Sequence, residues 1–170
     1  GVSVHPTYNH PNGTLCNAVA NYLVKTNQEN LTPRAVGRLD KVTSGVMIFA
    51  KNSFSASRLN GNIEKVYTAI ACGGMEKSGS VNAPIYRPDP NKTIRAVGDS
   101  GDSAITHWRV LDFFDGKSYL EIKTETGRTH QIRVHMAHIG HPVAGDDVYG
   151  PKKVITELGG QCLHAGRIGF

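Results

Sequence analysis

Residues 106–124, THWRVLDFFDGKSYLEIKT, carry the clearest structural signal in the chain. Two runs rich in β-branched and aromatic residues, 106–114 and 117–124, flank the dipeptide Asp115-Gly116. A dipeptide of this kind favours two-residue hairpin turns, because both turn residues adopt positive φ angles. The stretch therefore predicts an antiparallel β-hairpin.

Two further segments predict strands. Residues 46–50 form a continuous apolar run, as a buried strand would, and residues 65–72 are rich in β-branched and aromatic side chains. Residues 14–23 predict a helix that begins at the polar Thr14, and residues 53–59 predict a short second helix. The glycine- and proline-rich stretch 73–101 predicts a long loop with a short edge element.

A third helix is predicted after the second strand of the hairpin. Thr129 can cap it, and Ile132, Met136 and Ile139 share one face, with Gly140 placed to end it. Strands and helices do not alternate strictly, and consecutive strands form a hairpin. The order of elements therefore predicts an α+β fold with a mixed, largely antiparallel sheet flanked by helices.

Composition limits the possible classes of protein. The chain has 170 residues, which fits one domain, and 19 Lys and Arg against 14 Asp and Glu give a net charge of +5. This balance favours a polyanionic partner such as nucleic acid, although an ordinary basic protein is the alternative. The three cysteines form no C-x-x-C pair, which argues against a disulfide framework and a thiolate zinc cluster and favours a reducing, cytoplasmic compartment. No apolar run approaches the roughly 20 residues that span a bilayer.

One candidate reactive group is Asp40. It lies in the polar loop 37–45, directly before the apolar run, and Arg38 and Lys41 flank it. Neighbouring cations favour the ionised carboxylate that a nucleophile or a base requires. The alternative is a turn aspartate that bonds its own backbone.

A second candidate segment covers residues 127–142. Arg128 and Thr129 precede the predicted helix, where backbone N–H groups can hold an anion such as a phosphate, and Arg133 follows one turn later. Histidines at positions 130, 135, 138 and 141 suggest a metal site. No H-E-x-x-H pattern or carboxylate at ligand spacing accompanies them, and the surrounding arginines repel a cation.

Several motifs occur together along the chain. They are Arg38-Leu39-Asp40 with Thr43-Ser44-Gly45, then Lys65-Val66-Tyr67-Thr68-Ala69, then Gly127-Arg128-Thr129-His130-Gln131-Ile132-Arg133-Val134-His135, then Gly140-His141-Pro142 with Gly145-Asp146, with Val4-His5-Pro6 and Leu163-His164-Ala165 near the two ends. In content and order the set resembles the RluA-type pseudouridine synthases. One departure is Gly37, where many members have histidine.

The resemblance implies a fold and an activity. It implies one catalytic domain over residues 1–170 with a central RNA-binding cleft, lacking the family's usual first and last strands and its S4-like module. It implies an isomerase that converts uridine in structured ribosomal or transfer RNA to pseudouridine, without cofactor or metal. It also implies a cytoplasmic monomer that needs no protein partner and no membrane.

The resemblance also implies roles for individual residues. Asp40 is the nucleophile, acting on either the ribose or the pyrimidine ring, and Arg133 is its buried partner, which keeps it ionised. Tyr67 stacks on the uracil and helps to remove the proton from carbon 5. The residues expected to bind the substrate are Ile132 against the base, Arg38 in the place that the uridine leaves, and Arg128, Lys41 and Lys51 on phosphates.

Two alternatives from other classes stay open at this point. A catalytically inactive RNA-binding module would share the basic surface, but it would not need Asp40, Tyr67 and Arg133 together. A histidine-bound metal hydrolase would use the cluster in residues 130–141.

Overall fold

The structure, a computed structural model, describes residues 2–8, 10–26, 32–151 and 159–170. These residues form three helices and ten strands. In chain order the elements are α1 (Leu15–Lys25), β1 (Arg34–Val36), β2 (Ser44–Gly45), β3 (Ile48–Ala50), α2 (Ser53–Leu59), β4 (Glu64–Cys72), β5 (Ser78–Asn82), β6 (Ile85–Tyr86), β7 (Ala96–Val97), β8 (Ile105–Phe114), β9 (Lys117–Thr124), α3 (Gln131–His138) and β10 (Leu163–Gly169).

A six-stranded sheet with the order β2-β10-β4-β9-β8-β5 is the centre of the fold. Every neighbouring pair in it is antiparallel except β10 and β2, which are parallel. Two small sheets, β1-β3 and β6-β7, stand beside it. The predicted α+β class and the largely antiparallel sheet are therefore confirmed.

The β8–β9 hairpin is confirmed. Asp115 has φ 48° and Gly116 has φ 66°, as the predicted turn requires. Along β9, Ser118, Leu120 and Ile122 are fully buried, so the alternation of the strand directs one face into the core. The main core forms where this face meets α3, and its members are Ala69, Ala71, Val81, Leu120, Ile122, Ile132, Met136, Val143 and Leu163.

The predicted strand over residues 46–50 is wrong in part. Only Ile48–Ala50 is a strand, and it pairs with β1 outside the central sheet. Val46 is 46% exposed. A strand made entirely of apolar residues is buried only if other elements of the fold pack on both of its faces. The apolar run does not show whether such elements are present.

The segment 73–101 contains more structure than the predicted loop. Its edge element is confirmed as β5, which pairs with β8 at the border of the central sheet. The segment also forms β6 and β7, and Ile85 packs with Ala104 and Val134 in a second buried cluster. These contacts depend on distant parts of the chain, so local composition does not reveal them.

The helix starts were predicted with mixed success. Thr14 is the N-cap of α1 and forms a capping box with Asn17, and α2 covers the predicted residues. Gly140, with φ 83°, follows the end of α3 as expected. The predicted cap of α3 is wrong, because the N-cap is His130 and its side chain makes no capping hydrogen bond.

Within the described ranges, no helix is long and apolar enough to cross a membrane.

Gly45, in β2 close to Asp40, provides a test of the fold. It has φ 130°, and a Cβ added there would overlap the backbone oxygen of Ala165 in β10. We expect Gly45→Ala to lower the free energy of unfolding by more than about 2 kcal/mol, because it combines a clash with an unfavourable backbone conformation. Chemical denaturation measures this. Gly169→Ala is the control, since a Cβ there meets nothing within 4 Å, and equal stability of the two variants would contradict the expectation.

Candidate active site

One cleft lies where the loop before β2, strand β4 and the start of α3 meet, and its open space is about 440 Å³. It collects six of the eight site residues predicted from the sequence. These are Arg38, Asp40, Tyr67, Arg128, Ile132 and Arg133. The six positions extend from 38 to 133 in the sequence, so only the folded chain brings these side chains together.

Arg133 lies on α3 between two carboxylates and is 4% exposed. Its Nη1 is 3.5 Å from Oδ2 of Asp40. Its stronger partner is Asp146, to which Nε and Nη2 donate hydrogen bonds of 2.7 and 2.8 Å. A bidentate pair of this kind sets the orientation of the guanidinium, so Asp146 determines how Arg133 faces Asp40.

Asp146 is fully buried as a side chain. Its Oδ1 also accepts hydrogen bonds from the backbone N–H groups of Val148 and Tyr149, at 2.9 and 3.0 Å. Burial by itself raises the pKa of Asp146, but the hydrogen bond and charge of Arg133 and the two backbone donors lower it more. Its pKa therefore lies below the ordinary value, and the carboxylate is ionised at neutral pH.

Sequence reasoning placed Asp146 only within a motif and gave it no role. Tyr149 was missed altogether, although it packs against the same arginine. The guanidinium carbon of Arg133 lies 5.1 Å from the centre of the Tyr149 ring, which is a cation–π distance. Residues 146–149 thus support Arg133 from one side.

The Asp40 loop is held at both ends. The backbone oxygen of Asp40 accepts a hydrogen bond from the N–H of Thr43 at 2.9 Å. Arg38 donates from Nη1 to the hydroxyl of Thr129 at 3.0 Å, and its carbonyl accepts a hydrogen bond from Nζ of the buried Lys65 at 3.1 Å. These bonds tie the loop to β4 and to the turn before α3. The Asp40 side chain is left 14% exposed, facing the cleft.

Tyr67 lies on β4, between β9 and β10, and is half-buried. Burial, and then the negative charge of Asp40, raise the pKa of Tyr67 to about 12. Its phenol is therefore neutral at neutral pH.

Gln131 holds the turn that carries Arg128, and sequence reasoning missed it. Its Oε1 accepts hydrogen bonds from the Thr126 hydroxyl and the Arg128 N–H, at 2.8 and 2.9 Å, while Nε2 donates to the carbonyl of Ile105 at 2.9 Å. Gln131 is 4% exposed. A buried amide with these partners anchors the turn against the hairpin.

The basic residues occupy different places. Arg128 is partly exposed, and its Nε donates to the carbonyl of Ser103 at 3.0 Å. Lys41 is exposed and lines a neighbouring cavity together with Arg38, Asp40 and His130. Lys51 is exposed after β3, in the separate small sheet, and it is not among the residues that line these two cavities. Arg128 and Lys41 thus line two neighbouring cavities, and the predicted phosphate contacts of Arg128, Lys41 and Lys51 stay predictions.

The four histidines do not converge. Both ring nitrogens of His135 lie 2.9 Å from other partners, the Thr106 hydroxyl and the Ala83 carbonyl. Nδ1 of His141 is 2.9 Å from the carbonyl of Cys72. Among the residues that the structure describes, no group of three or more His, Cys, Asp or Glu side chains is placed to hold a metal ion.

Comparison with known proteins identifies the family. The model of the family described as RNA pseudouridylate synthase matches residues 1–138. The chain belongs to this family. The resemblance to the RluA-type pseudouridine synthases is thereby confirmed.

Two bacterial pseudouridine synthases illustrate the relationship. The chain is 43% identical over 177 residues to an uncharacterized RNA pseudouridine synthase of Chloroflexus aurantiacus, covering 100% of this chain and 56% of the relative. It is 40% identical over 170 residues to ribosomal large subunit pseudouridine synthase D of Pseudomonas aeruginosa, covering 96% of this chain and 52% of the relative. The chain thus spans about half the length of these relatives.

A solved structure agrees with the fold. Human RNA pseudouridylate synthase domain containing 1 superimposes with a TM-score of 0.74 at 25% sequence identity, over 98% of this chain and 71% of the human one. The mixed α+β architecture is therefore that of pseudouridylate synthase domains.

Proposed function

We propose that this protein isomerises uridine in RNA to pseudouridine, with Asp40 as the nucleophile. The observation that carries the proposal is the cleft itself. In a chain of this family, one cleft holds the carboxylate of Asp40 beside the buried guanidinium of Arg133 and the half-buried ring of Tyr67. The substrate we propose is a structured ribosomal or transfer RNA, and the name of the Pseudomonas relative favours ribosomal RNA first.

The reaction breaks the N-glycosidic bond, turns the uracil and rejoins it to the ribose through carbon 5. Asp40 attacks either the ribose or the pyrimidine ring, and it must be ionised to do so. The guanidinium of Arg133 forms an ion pair with this carboxylate, with Nη1 3.5 Å from Oδ2. Because Asp146 already orients Arg133 through two hydrogen bonds, the guanidinium need not move to support the nucleophile.

The base needs a surface to hold it during the reaction. Tyr67 offers the face of its ring for stacking, and Ile132, which is 6% exposed, offers an apolar contact within the same cleft. The neutral phenol of Tyr67 can relay a proton from carbon 5 to a stronger base. We propose that Asp40, whose charge acts on Tyr67, accepts this proton once it has been released from its covalent bond to the substrate.

The target uridine must leave its stack to enter the cleft, which costs a few kcal/mol. We assign Arg38 to the vacated place, since it is exposed at the mouth of the cleft and its guanidinium is held there by a single hydrogen bond, to Thr129, among the described residues. Arg128 and Lys41 then hold phosphates beside it. We also propose, as the resemblance to the family implies, that the protein acts as a monomer on RNA in the cytoplasm.

The direct test measures release of tritium from RNA labelled at carbon 5 of uridine, since the reaction replaces that hydrogen. We expect release with ribosomal or transfer RNA that lacks the modification, and mass spectrometry then maps the position. Tight RNA binding without release would favour the inactive binding module instead.

We expect catalysis to survive exhaustive chelation, because no step of the proposed reaction requires a Lewis acid. Tritium release is measured before and after treatment with a chelator, with a short RNA whose folding does not depend on divalent ions. Loss of activity that zinc restores would instead support a metal site formed by the histidines of residues 130–141.

A further inference from the structure

His130 has an unusual backbone conformation at the edge of the cleft. Its φ and ψ are 58° and 17°, in the left-handed region, which is unfavourable for residues with a side chain. The side chain does not use this position to cap α3. Instead, the ring lines the cleft together with Asp40 and Arg133. The strained backbone therefore serves to place an imidazole beside the proposed nucleophile.

Tyr149 determines which nitrogen of this ring carries the proton. Its hydroxyl oxygen accepts a hydrogen bond from the backbone N–H of Arg95 at 2.9 Å. Its single O–H is then free to donate to Nδ1 of His130, which lies 2.7 Å away. With Nδ1 as the acceptor of this bond, a neutral His130 ring carries its proton on Nε2. The edge-to-face contact of the two rings holds this orientation.

Burial and three arginines lower the pKa of His130. Burial lowers its pKa, Asp40 raises it, and Arg133, Arg95 and Arg38 lower it again, so that the pKa lies below the ordinary histidine value. A neutral ring does not compete with Arg133 for the charge of Asp40. Among the residues that the structure describes, none forms a hydrogen bond with Nε2.

We propose that His130 is a further substrate-contacting residue, which donates a hydrogen bond from Nε2–H to a carbonyl oxygen of the target uracil, and that Tyr149 is the residue that positions it. This inference rests on the proposed function, because uracil is its ligand. When the glycosidic bond breaks, its electron pair stays with the uracil and increases the negative charge on the carbonyl oxygens. A preorganised donor stabilises such charge most strongly in the transition state.

The tautomer can be tested without RNA. In wild-type protein labelled with ¹⁵N in histidine, we expect the His130 signals of an Nε2–H ring with unprotonated Nδ1. In Tyr149→Phe, which keeps the ring over Arg133 but removes the hydroxyl, we expect a mixture of the two tautomers. An Nδ1–H ring in the wild type would overturn the inference.

The contact with substrate is tested by two substitutions at position 130. His130→Gln carries an amide N–H near the position of Nε2, whereas His130→Asn suits the left-handed backbone better but is too short to reach. We expect His130→Asn to lower kcat for tritium release about 100-fold with little change in KM. His130→Gln should be about tenfold more active than His130→Asn. His138→Gln, on the exposed end of α3, is the matched control and should behave like the wild type.

The outcomes separate this inference from the proposed function. A wild-type protein that releases no tritium from any RNA overturns both. An active wild type with an equally active His130→Asn overturns only the role of His130. Thermal unfolding of each variant shows whether a loss of activity comes from a loss of the fold. A His130→Asn variant that is more active than His130→Gln would overturn the hydrogen bond from position 130, because it would show that this position needs only a residue that tolerates the left-handed backbone.

Discussion

Asp40→Asn is expected to reduce pseudouridine formation by on the order of 10⁴-fold or more while leaving the fold and the affinity for RNA nearly unchanged. The amide has the shape of the carboxylate but cannot act as the nucleophile. The structure explains why the fold should survive. Arg133 loses only a contact of 3.5 Å and keeps both of its hydrogen bonds to Asp146.

Three measurements are needed to check this result. Tritium release gives the activity, filter binding gives the RNA affinity, and circular dichroism with thermal unfolding reports on the fold. Asp147→Asn is the matched control, since it makes the same chemical change at a carboxylate that is 71% exposed and 4.0 Å from Nη2 of Arg133. Substantial turnover by Asp40→Asn would exclude Asp40 as the nucleophile.

Arg133→Ala is expected to abolish catalysis and to lower the free energy of unfolding by about 3–5 kcal/mol at neutral pH. The substitution leaves the fully buried carboxylate of Asp146 without its main hydrogen-bond and charge partner. Arg109→Ala is the control, because the Arg109–Glu121 pair is at the surface and such pairs contribute about 0–1 kcal/mol.

The stability difference between wild type and Arg133→Ala should also depend on pH. The folded-state pKa of Asp146 is lowered, so the stabilisation by the pair is present above the unfolded pKa and is lost as the pH falls through the folded one. The variant can relieve part of its cost by protonating Asp146. Urea unfolding at a series of pH values should therefore show the largest difference at neutral pH and the smallest in acid.

Two outcomes would contradict the buried role of Arg133. A stability change of no more than about 0.5 kcal/mol with near-normal turnover would show that the arginine is a solvated surface residue. A loss confined to RNA affinity that varies strongly with salt concentration would reassign Arg133 to a phosphate contact.

The sequence by itself determined the parts of this protein that depend on neighbouring residues. Asp115-Gly116 requires positive φ angles, Thr14 caps the start of α1, and Gly140 ends α3. Such signals act within a few residues, so they can be read before the fold is known. The motif order also indicated that Asp40, Tyr67 and Arg133 belong to one site, and the structure places them in one cleft.

Only the tertiary structure decided which partners those residues have. Arg133 is bound to Asp146, 13 positions later, because the chain reverses after α3, and nothing in the local pattern shows that reversal. The same reversal brings the hydroxyl oxygen of Tyr149 within 2.7 Å of Nδ1 of His130. The sequence also did not determine which residues are buried. Val46 is exposed and Lys65 is buried, the opposite of what their residue types predict. Pairing and burial depend on which layers of the fold meet, and a residue's sequence neighbours do not carry that information.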